Sequence, residues 1–248
     1  MKKHILLFWL IGVLGFSQND VRFDKANTLY NNGEYESAIS VYEKILGDNL
    51  HSSALYFNMA NCYYKLNKIA PSIYYYEKAL KLSPKDKDIL NNLSFAEQMT
   101  IDNFDAVPVI GVTKQLNKIA HLFNVDGWAV LCILLVCLVV LFFVAYYLSH
   151  NTRNKRTFFV LGLVSMITLI ATFSLLHKKE NLDHKRFAIV FAQEVAVKTE
   201  PNLKSETAFI LHEGTKVQIV EFYKASWSKI KLMDGTVGWI SANDFKEL

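Results

Sequence analysis

The sequence predicts a multidomain membrane protein: an all-α repeat stack, a two-helix transmembrane hairpin and a small all-β barrel, in that order. Three observations predict it. Two apolar runs, 128–148 and 157–176, stand mid-chain with only 149–156 between them, and each is close to the roughly 20 residues a spanning helix needs. Before them, a block of residues returns at a fixed interval. After them, the apolar pattern shortens into strand-length runs bounded by turn residues.

At the N-terminus, Met1-Lys2-Lys3 is a short basic start and residues 5–16 form an apolar core shorter than a membrane span. Gly15 and Ser17 are small residues at the two positions a signal peptidase reads. The combination predicts a secretory signal peptide over 1–17, with Gln18 left as the first residue. An uncleaved anchor would put the following domain on the same side.

Residues 18–100 are predicted to form the repeat domain. Tyr42-Glu43-Lys44-Ile45-Leu46 returns as Tyr76-Glu77-Lys78-Ala79-Leu80, an interval of 34 residues (76 − 42). The same interval pairs Ala26 with Ala60, Leu29 with Tyr63, Tyr30 with Tyr64 and Ile39 with Ile73. A period of about 34 residues with two helical patterns per unit is the tetratricopeptide signature. Ala26 and Ala60 fall where paired helices approach closely. Gly33-Glu34-Tyr35-Glu36-Ser37-Ala38 resembles that family's turn and second-helix start, and Pro84 its stop. In the second copy Asn67 replaces the turn glycine and Ser72 the small alanine, because Asn accepts left-handed geometry and Ser is nearly as small. A half-unit over 88–99, with Leu90, Leu93 and Phe95 in helical register, is expected to cap a stack whose repeats cannot bury their apolar faces alone.

Such stacks build a concave surface that binds a peptide or partner protein, the alternative being a spacer. The resemblance to the repeat family assigns groove positions to Phe23, Asn27 and Tyr30, to Phe57, Asn58, Asn61 and Tyr64, and to Asn92 and Phe95. A side-chain amide offers donor and acceptor together, which suits an extended backbone of any sequence. Relatives that clamp a C-terminal carboxylate carry lysine and arginine nearby, where this chain has Phe23 and Asp88, so no such clamp is expected. For each aromatic the alternative is core packing.

Residues 101–127 link the repeats to the membrane. Pro108 and Gly111 break the pattern, and Leu116, Ile119, Ala120 and Phe123 then recur opposite Lys114, Asn117 and Lys118. This predicts a short amphipathic helix at the lipid interface, with Trp128 as an aromatic anchor, or else a last helix on the repeat stack. Asp126 is expected to cap the first spanning helix. The spans are 128–148 and 157–176, joined by a cytoplasmic turn over 149–156. Arg153, Lys155 and Arg156 fit the positive-inside rule, but Lys178, Lys179, Lys185 and Arg186 are as basic, so the export signal sets the orientation. Two crossings return the chain to the side it left, and both flanks then share one compartment.

After a linker over 177–186, residues 187–248 change period. Strands are expected at 187–191, 195–198, 216–222, 228–232 and 237–240, separated by turns at Glu200-Pro201-Asn202, Glu213-Gly214 and Asp234-Gly235. His212-Glu213-Gly214-Thr215-Lys216-Val217, Trp227-Ser228-Lys229-Ile230 and Asp234-Gly235-Thr236-Val237-Gly238-Trp239-Ile240, in this order, resemble a bacterial SH3-like domain. Its usual Arg-Ser-Gly-Pro run stands here as Lys198-Thr199-Glu200-Pro201. Trp227 and Trp239 are candidates for a ligand platform, with peptidoglycan as the ligand class; the alternative is that they fill the barrel.

The 52% hydrophobic content is concentrated in the signal and the hairpin, and a net charge of +4 is too diffuse to argue for nucleic acid. Cys132 and Cys137 lie in the first span and Cys62 alone in the first flank, so no disulfide framework is expected and Cys62 reads as core. His51, His121, His150, His177, His184 and His212 are scattered singly, without metal-ligand spacing or a nucleophile motif. No phosphate loop or dinucleotide fingerprint occurs. Glu34 and Glu36 read as helix-start charges. No catalytic residues, metal ligands or cofactors are predicted.

Exported tetratricopeptide repeats, an interfacial helix, a membrane hairpin and a terminal SH3-like barrel together resemble the BatE-like proteins of the Bat aerotolerance system of Bacteroidetes-type bacteria. The resemblance implies a bacterial inner-membrane protein with both domains periplasmic, partners carrying von Willebrand A-type domains, and a role in oxidative or envelope stress. Two functions are expected from this: a non-enzymatic scaffold whose repeat groove gathers envelope proteins, or a cell-wall sensor or anchor holding peptidoglycan through the barrel.

Overall fold

The computed structural model describes residues 21–104 and 111–248. The expected signal peptide and part of the linker lie outside the described residues. The chain divides into two compact units. One joins the two flanks, 21–104 and 187–248; the other is 111–186.

The first flank is five helices: α1 (Val21–Asn31), α2 (Tyr35–Gly47), α3 (Ser53–Lys65), α4 (Ile69–Leu82) and α5 (Lys87–Glu97). Ser52 caps α3 by accepting from the Leu55 amide at 3.1 Å, and Asp86 caps α5 by accepting from the amides of Asp88 and Ile89. The turn positions behave as the repeat predicts: Gly33 has φ +83° and Asn67, 34 residues on, φ +58°. Ala26, Ala38, Ala60 and Ser72 are fully buried, and the Ser72 hydroxyl is satisfied by the Ile69 carbonyl at 2.8 Å. In α5 the buried face is Ile89, Leu93 and Ala96, so Leu90 and Phe95, expected to cap the stack, stay exposed. Cys62 is buried, and desolvation pushes its thiol up to about 12, which makes it an inert core residue.

The second flank is an antiparallel sheet of seven strands: β1 (Arg186–Val190), β2 (Glu194–Lys198), β3 (Thr207–His212), β4 (Lys216–Tyr223), β5 (Trp227–Lys231), β6 (Val237–Ser241) and β7 (Phe245–Glu247), ordered β3-β2-β6-β5-β4-β1-β7. Five were expected; β3 and β7 were not. Val190, Val197, Leu211, Val217, Ile230 and Ile240 form the core of the barrel.

The two flanks pack against each other. Alternation along β1 sends Ala188 and Val190 into the barrel and Ile189 into the cluster of Ala60, Ile73, Tyr76 and Leu93 on the repeats. Phe104, just past α5, packs in return on the barrel core. Gly214 has φ +88°, and a Cβ there would sit 2.8 Å from Thr100 and 2.9 Å from Ile69.

The second unit holds α6 (Val112–Ala120), α7 (Val125–Leu148) and α8 (Thr152–Asp183). Two helices are thus long and apolar enough to cross a membrane. Their apolar side chains, Val130, Ile133, Leu141, Ile167 and Phe173 among them, face outward. At 1.5 Å per residue the 24 residues of α7 span about 36 Å, and the 32 of α8 about 48 Å, so α8 carries polar turns at both ends of the 157–176 run. The polar connection is only 149–151, because Asn151 caps α8 by accepting from the Arg153 amide at 2.9 Å. Asn124 rather than Asp126 caps α7, through the Gly127 amide at 2.8 Å. Trp128 is not an exposed anchor. It is buried at 4% exposure, its indole N–H donates to the Ala120 carbonyl at 3.0 Å, and Phe123 packs edge-on against it. That bond pins α6 to α7, while Leu116 and Ile119 of α6 and Phe123 just beyond it remain exposed, as at a lipid interface.

Candidate functional site

The inner helix of each repeat pair builds a polar pocket of about 220 Å3. Tyr30 of α1, Asn61, Tyr64 and Lys65 of α3, and Asn92 and Phe95 of α5 line it, with Tyr76 of α4 at its back. Of the residues the sequence assigned to the groove, the structure brings together Tyr30, Asn61, Tyr64 and Asn92, plus Phe95. Lys65 and Tyr76 are additions; the 34-residue echo of Tyr42 in Tyr76 was the available signal for the latter.

The asparagines also hold the helices of the stack together. The Asn61 amide oxygen accepts from the Tyr76 hydroxyl at 2.6 Å and from the Asn92 amide at 3.0 Å. One repeat earlier, the Asn27 oxygen accepts from the Tyr42 hydroxyl at 2.5 Å and from the Asn58 amide at 2.8 Å. One amide oxygen thus ties three helices together, twice. Burial pushes both tyrosine hydroxyls well above their ordinary pKa, so they remain donors. Asn27, Asn58 and Phe57 lie outside the lining of the pocket, and the partly buried Phe57 ring packs on Tyr76 at 6.0 Å and against the core clusters of the stack. The open faces of the pocket are the rings of Tyr30, Tyr64 and Phe95, the Lys65 ammonium and the outer edges of the Asn61 and Asn92 amides.

On the barrel, alternation decides the role of the tryptophans. Gly238 and Ile240 are buried and face the core, so Trp239 between them points outward and is half-buried. It does not fill the barrel. Tyr223 packs edge-on against Trp239 at 5.9 Å, and the Lys229 ammonium lies 5.8 Å from its ring centroid. Trp239 pairs across strands with both Lys198 and Lys229, and Trp227 pairs with Tyr223 and Ser241. The result is an outer face of aromatic rings edged by lysines. Tyr223, Lys198 and Lys229 are not evident in the sequence because only the register of four strands, β2, β6, β5 and β4, gathers them around Trp239.

Between the flanks, Asp102 accepts from the His212 amide at 2.7 Å, the His212 ring Nδ1 at 2.8 Å and the Thr215 hydroxyl at 2.6 Å. Burial alone would raise this carboxyl, but the three hydrogen bonds outweigh it and hold Asp102 below the usual carboxylate range. The group is not a catalytic triad. In a triad the histidine stands between hydroxyl and carboxylate, whereas here hydroxyl and imidazole both donate to the carboxylate. Lys216 pairs with Glu77, and Lys81 donates to the Leu248 carbonyl at 3.2 Å. Among the described residues, no three His, Cys, Asp or Glu side chains converge on a metal position.

Residues 20–47 and 53–86 match tetratricopeptide repeat families, and residues 194–246 match the bacterial SH3 domain. The chain carries both kinds of module, and both are characteristically binding modules rather than catalytic ones. Over 55 residues, 22% of this chain, it is 33% identical to the cell wall-binding protein YwsB of Bacillus subtilis (strain 168). The match spans 31% of the length of that relative.

Proposed function

We propose that the chain is a non-enzymatic scaffold of the bacterial inner membrane, whose periplasmic repeat groove binds envelope partner proteins. The observation that carries this is the pocket of Tyr30, Asn61, Tyr64, Lys65, Asn92 and Phe95, contributed by the inner helices of the tetratricopeptide stack. The contacts that Ile73, Glu77 and Asp102 make with the barrel support a shared compartment for both flanks. Such contacts form only if the intervening hairpin returns to the side it left. Export by the N-terminal signal makes that side the periplasm, and the resemblance to BatE-like proteins points to a Bat-type aerotolerance complex with von Willebrand A-type membrane partners.

A second reading, a wall sensor or anchor, is favoured by one specific observation: the outward Trp239 with Tyr223 and Lys229 on a bacterial SH3 domain, in a chain that over 55 residues is 33% identical to a cell wall-binding protein. Because the flanks pack against each other, the test uses the whole chain in detergent. Tyr64→Ala is expected to abolish capture of envelope proteins and leave retention on purified peptidoglycan unchanged. Loss of wall retention in Trp239→Ala, with protein capture intact, would put the sensor first. Topology is checked by an impermeant thiol label on spheroplasts. It should reach cysteines placed at Glu34 and Asn243 and miss one at Asn154; labelling of Glu34 and Asn243 on opposite faces would end the scheme.

A further inference from the structure

The hairpin contains an apolar notch of about 290 Å3 that neither binding module uses. It lies between α7 and α8 toward their connecting turn, with Phe142, Phe143 and Tyr146 on one wall and Phe159, Gly162 and Met166 on the other. Gly162 leaves the space open: a Cβ there would make only ordinary contact, 3.7 Å from the Phe142 Cβ, so the backbone does not demand glycine.

One end of the notch is charged. Lys155 precedes Phe158 and Phe159 by three and four residues, which puts it on the notch face of α8. Its ammonium lies 5.8 Å from the ring centroid of Tyr146, itself a wall residue. Lys155 is half-buried, while Arg153 and Arg156 beside it are exposed. No Asp or Glu occurs between Asp126 and Glu180, so the hairpin supplies no counter-charge to these three cations.

Size and charge select the occupant. A hydrocarbon chain is slim enough to enter, and the cations at the mouth call for an anion. We propose that the notch holds an acyl chain of an anionic membrane phospholipid, with the headgroup phosphate against Lys155 and with Arg153 and Arg156 supplying the surrounding positive field. This takes from the proposed function only that the hairpin lies in lipid. Basic pockets between membrane helices bind acidic headgroups by the same physics.

The test uses the full chain in non-ionic detergent, with phosphatidylglycerol and phosphatidylcholine of identical acyl chains, read by native mass spectrometry and by melting. Phosphatidylglycerol should be retained about fivefold better, the factor expected for one lysine near an anionic headgroup, and should raise the melting temperature. Lys155→Gln should erase that preference, whereas Lys118→Gln on α6 should keep it. Gly162→Leu should lower occupancy by both lipids; if that variant fails to fold, the comparison of the two lysines carries the test. Equal retention of the two lipids by the wild type would overturn the proposal. So would equal losses from Lys118→Gln and Lys155→Gln, which would mean diffuse attraction, or a lipid-free dimer broken by Gly162→Leu, which would put a second copy in the notch. Release of the wild type from membranes by alkaline carbonate would instead overturn the membrane hairpin itself.

Discussion

A side chain that looks like a ligand group in sequence is often committed inside the fold, and Asn61 is the case here. Its amide oxygen carries two lone pairs and spends both on the Tyr76 hydroxyl and the Asn92 amide. Asn61→Ala would leave a buried hydroxyl and an amide without an acceptor, at a cost of about 1–3 kcal/mol. A lowered thermal midpoint is therefore expected, whether or not partner capture changes. Tyr64→Ala should lose capture with a smaller loss of stability, because Tyr64 is only partly buried at the edge of the cluster behind the pocket and its removal strands no buried donor. If Asn61→Ala melts like wild type, the amide is a ligand group and the network is incidental. Trp239 is the converse case. It lies on the outer face beside Tyr223 and Lys229, so Trp239→Ala should leave the barrel folded by circular dichroism. Unfolding would return the indole to the core.

At the scale of elements, what was legible in the sequence is what repeats or what is long. Five repeat helices, both apolar helices and five of the strands follow from period and composition, since a 34-residue echo and a run of about 20 apolar residues are local signals. β7 is three residues held by pairing Val190 with Phe245, and nothing within Phe245–Glu247 announces it. The β3 run, Thr207–His212, has strand chemistry but is masked by the turn signals on either side of it. The pocket was half legible: the family register gave Tyr30, Asn61, Tyr64 and Asn92, but not which amide atoms were already occupied. Gly238 stands just before a strand aromatic, where a glycine marks a close backbone approach, and the structure supplies the reason. A Cβ there would run into Val197 Cγ1 of β2 and lie 3.3 Å from the Lys198 carbonyl. Gly238→Val should therefore part β6 from β2, where Lys198 pairs with Trp239, and abolish the β signal of the barrel in circular dichroism. A folded Gly238→Val barrel would mean that β2 can shift away at little cost.

Across the whole molecule, the feature least visible in sequence is the docking of the barrel on the repeats, because its partners lie more than a hundred residues apart. Asp102 and His212 are separated by 110 positions, Glu77 and Lys216 by 139. The sign of the pH dependence follows from Asp102. Its carboxyl is held below the usual range in the folded chain, so its contribution is fully present above the ordinary carboxylate pKa and lost as pH falls through the lowered one. Three hydrogen bonds converge on a carboxylate that is only 10% exposed, and bonds to a charged group are each worth about 1.5–3 kcal/mol. Asp102→Asn should accordingly lower the urea midpoint of the detergent-solubilised chain at pH 7. The gap between wild type and variant should close as both are acidified below the carboxylate range, since protonation removes from the wild type what the substitution has already removed. Gly214→Val provides the steric counterpart. Its side chain would wedge between the barrel turn and Ile69, Ile73 and Thr100 while leaving the buried faces of both modules intact. It should make the linker beyond Thr100 cleavable by protease without loss of helical or strand signal. If Gly214→Val instead costs the barrel its fold, the docked face is part of the domain's own core, and repeats and barrel form one cooperative unit rather than two modules held in register.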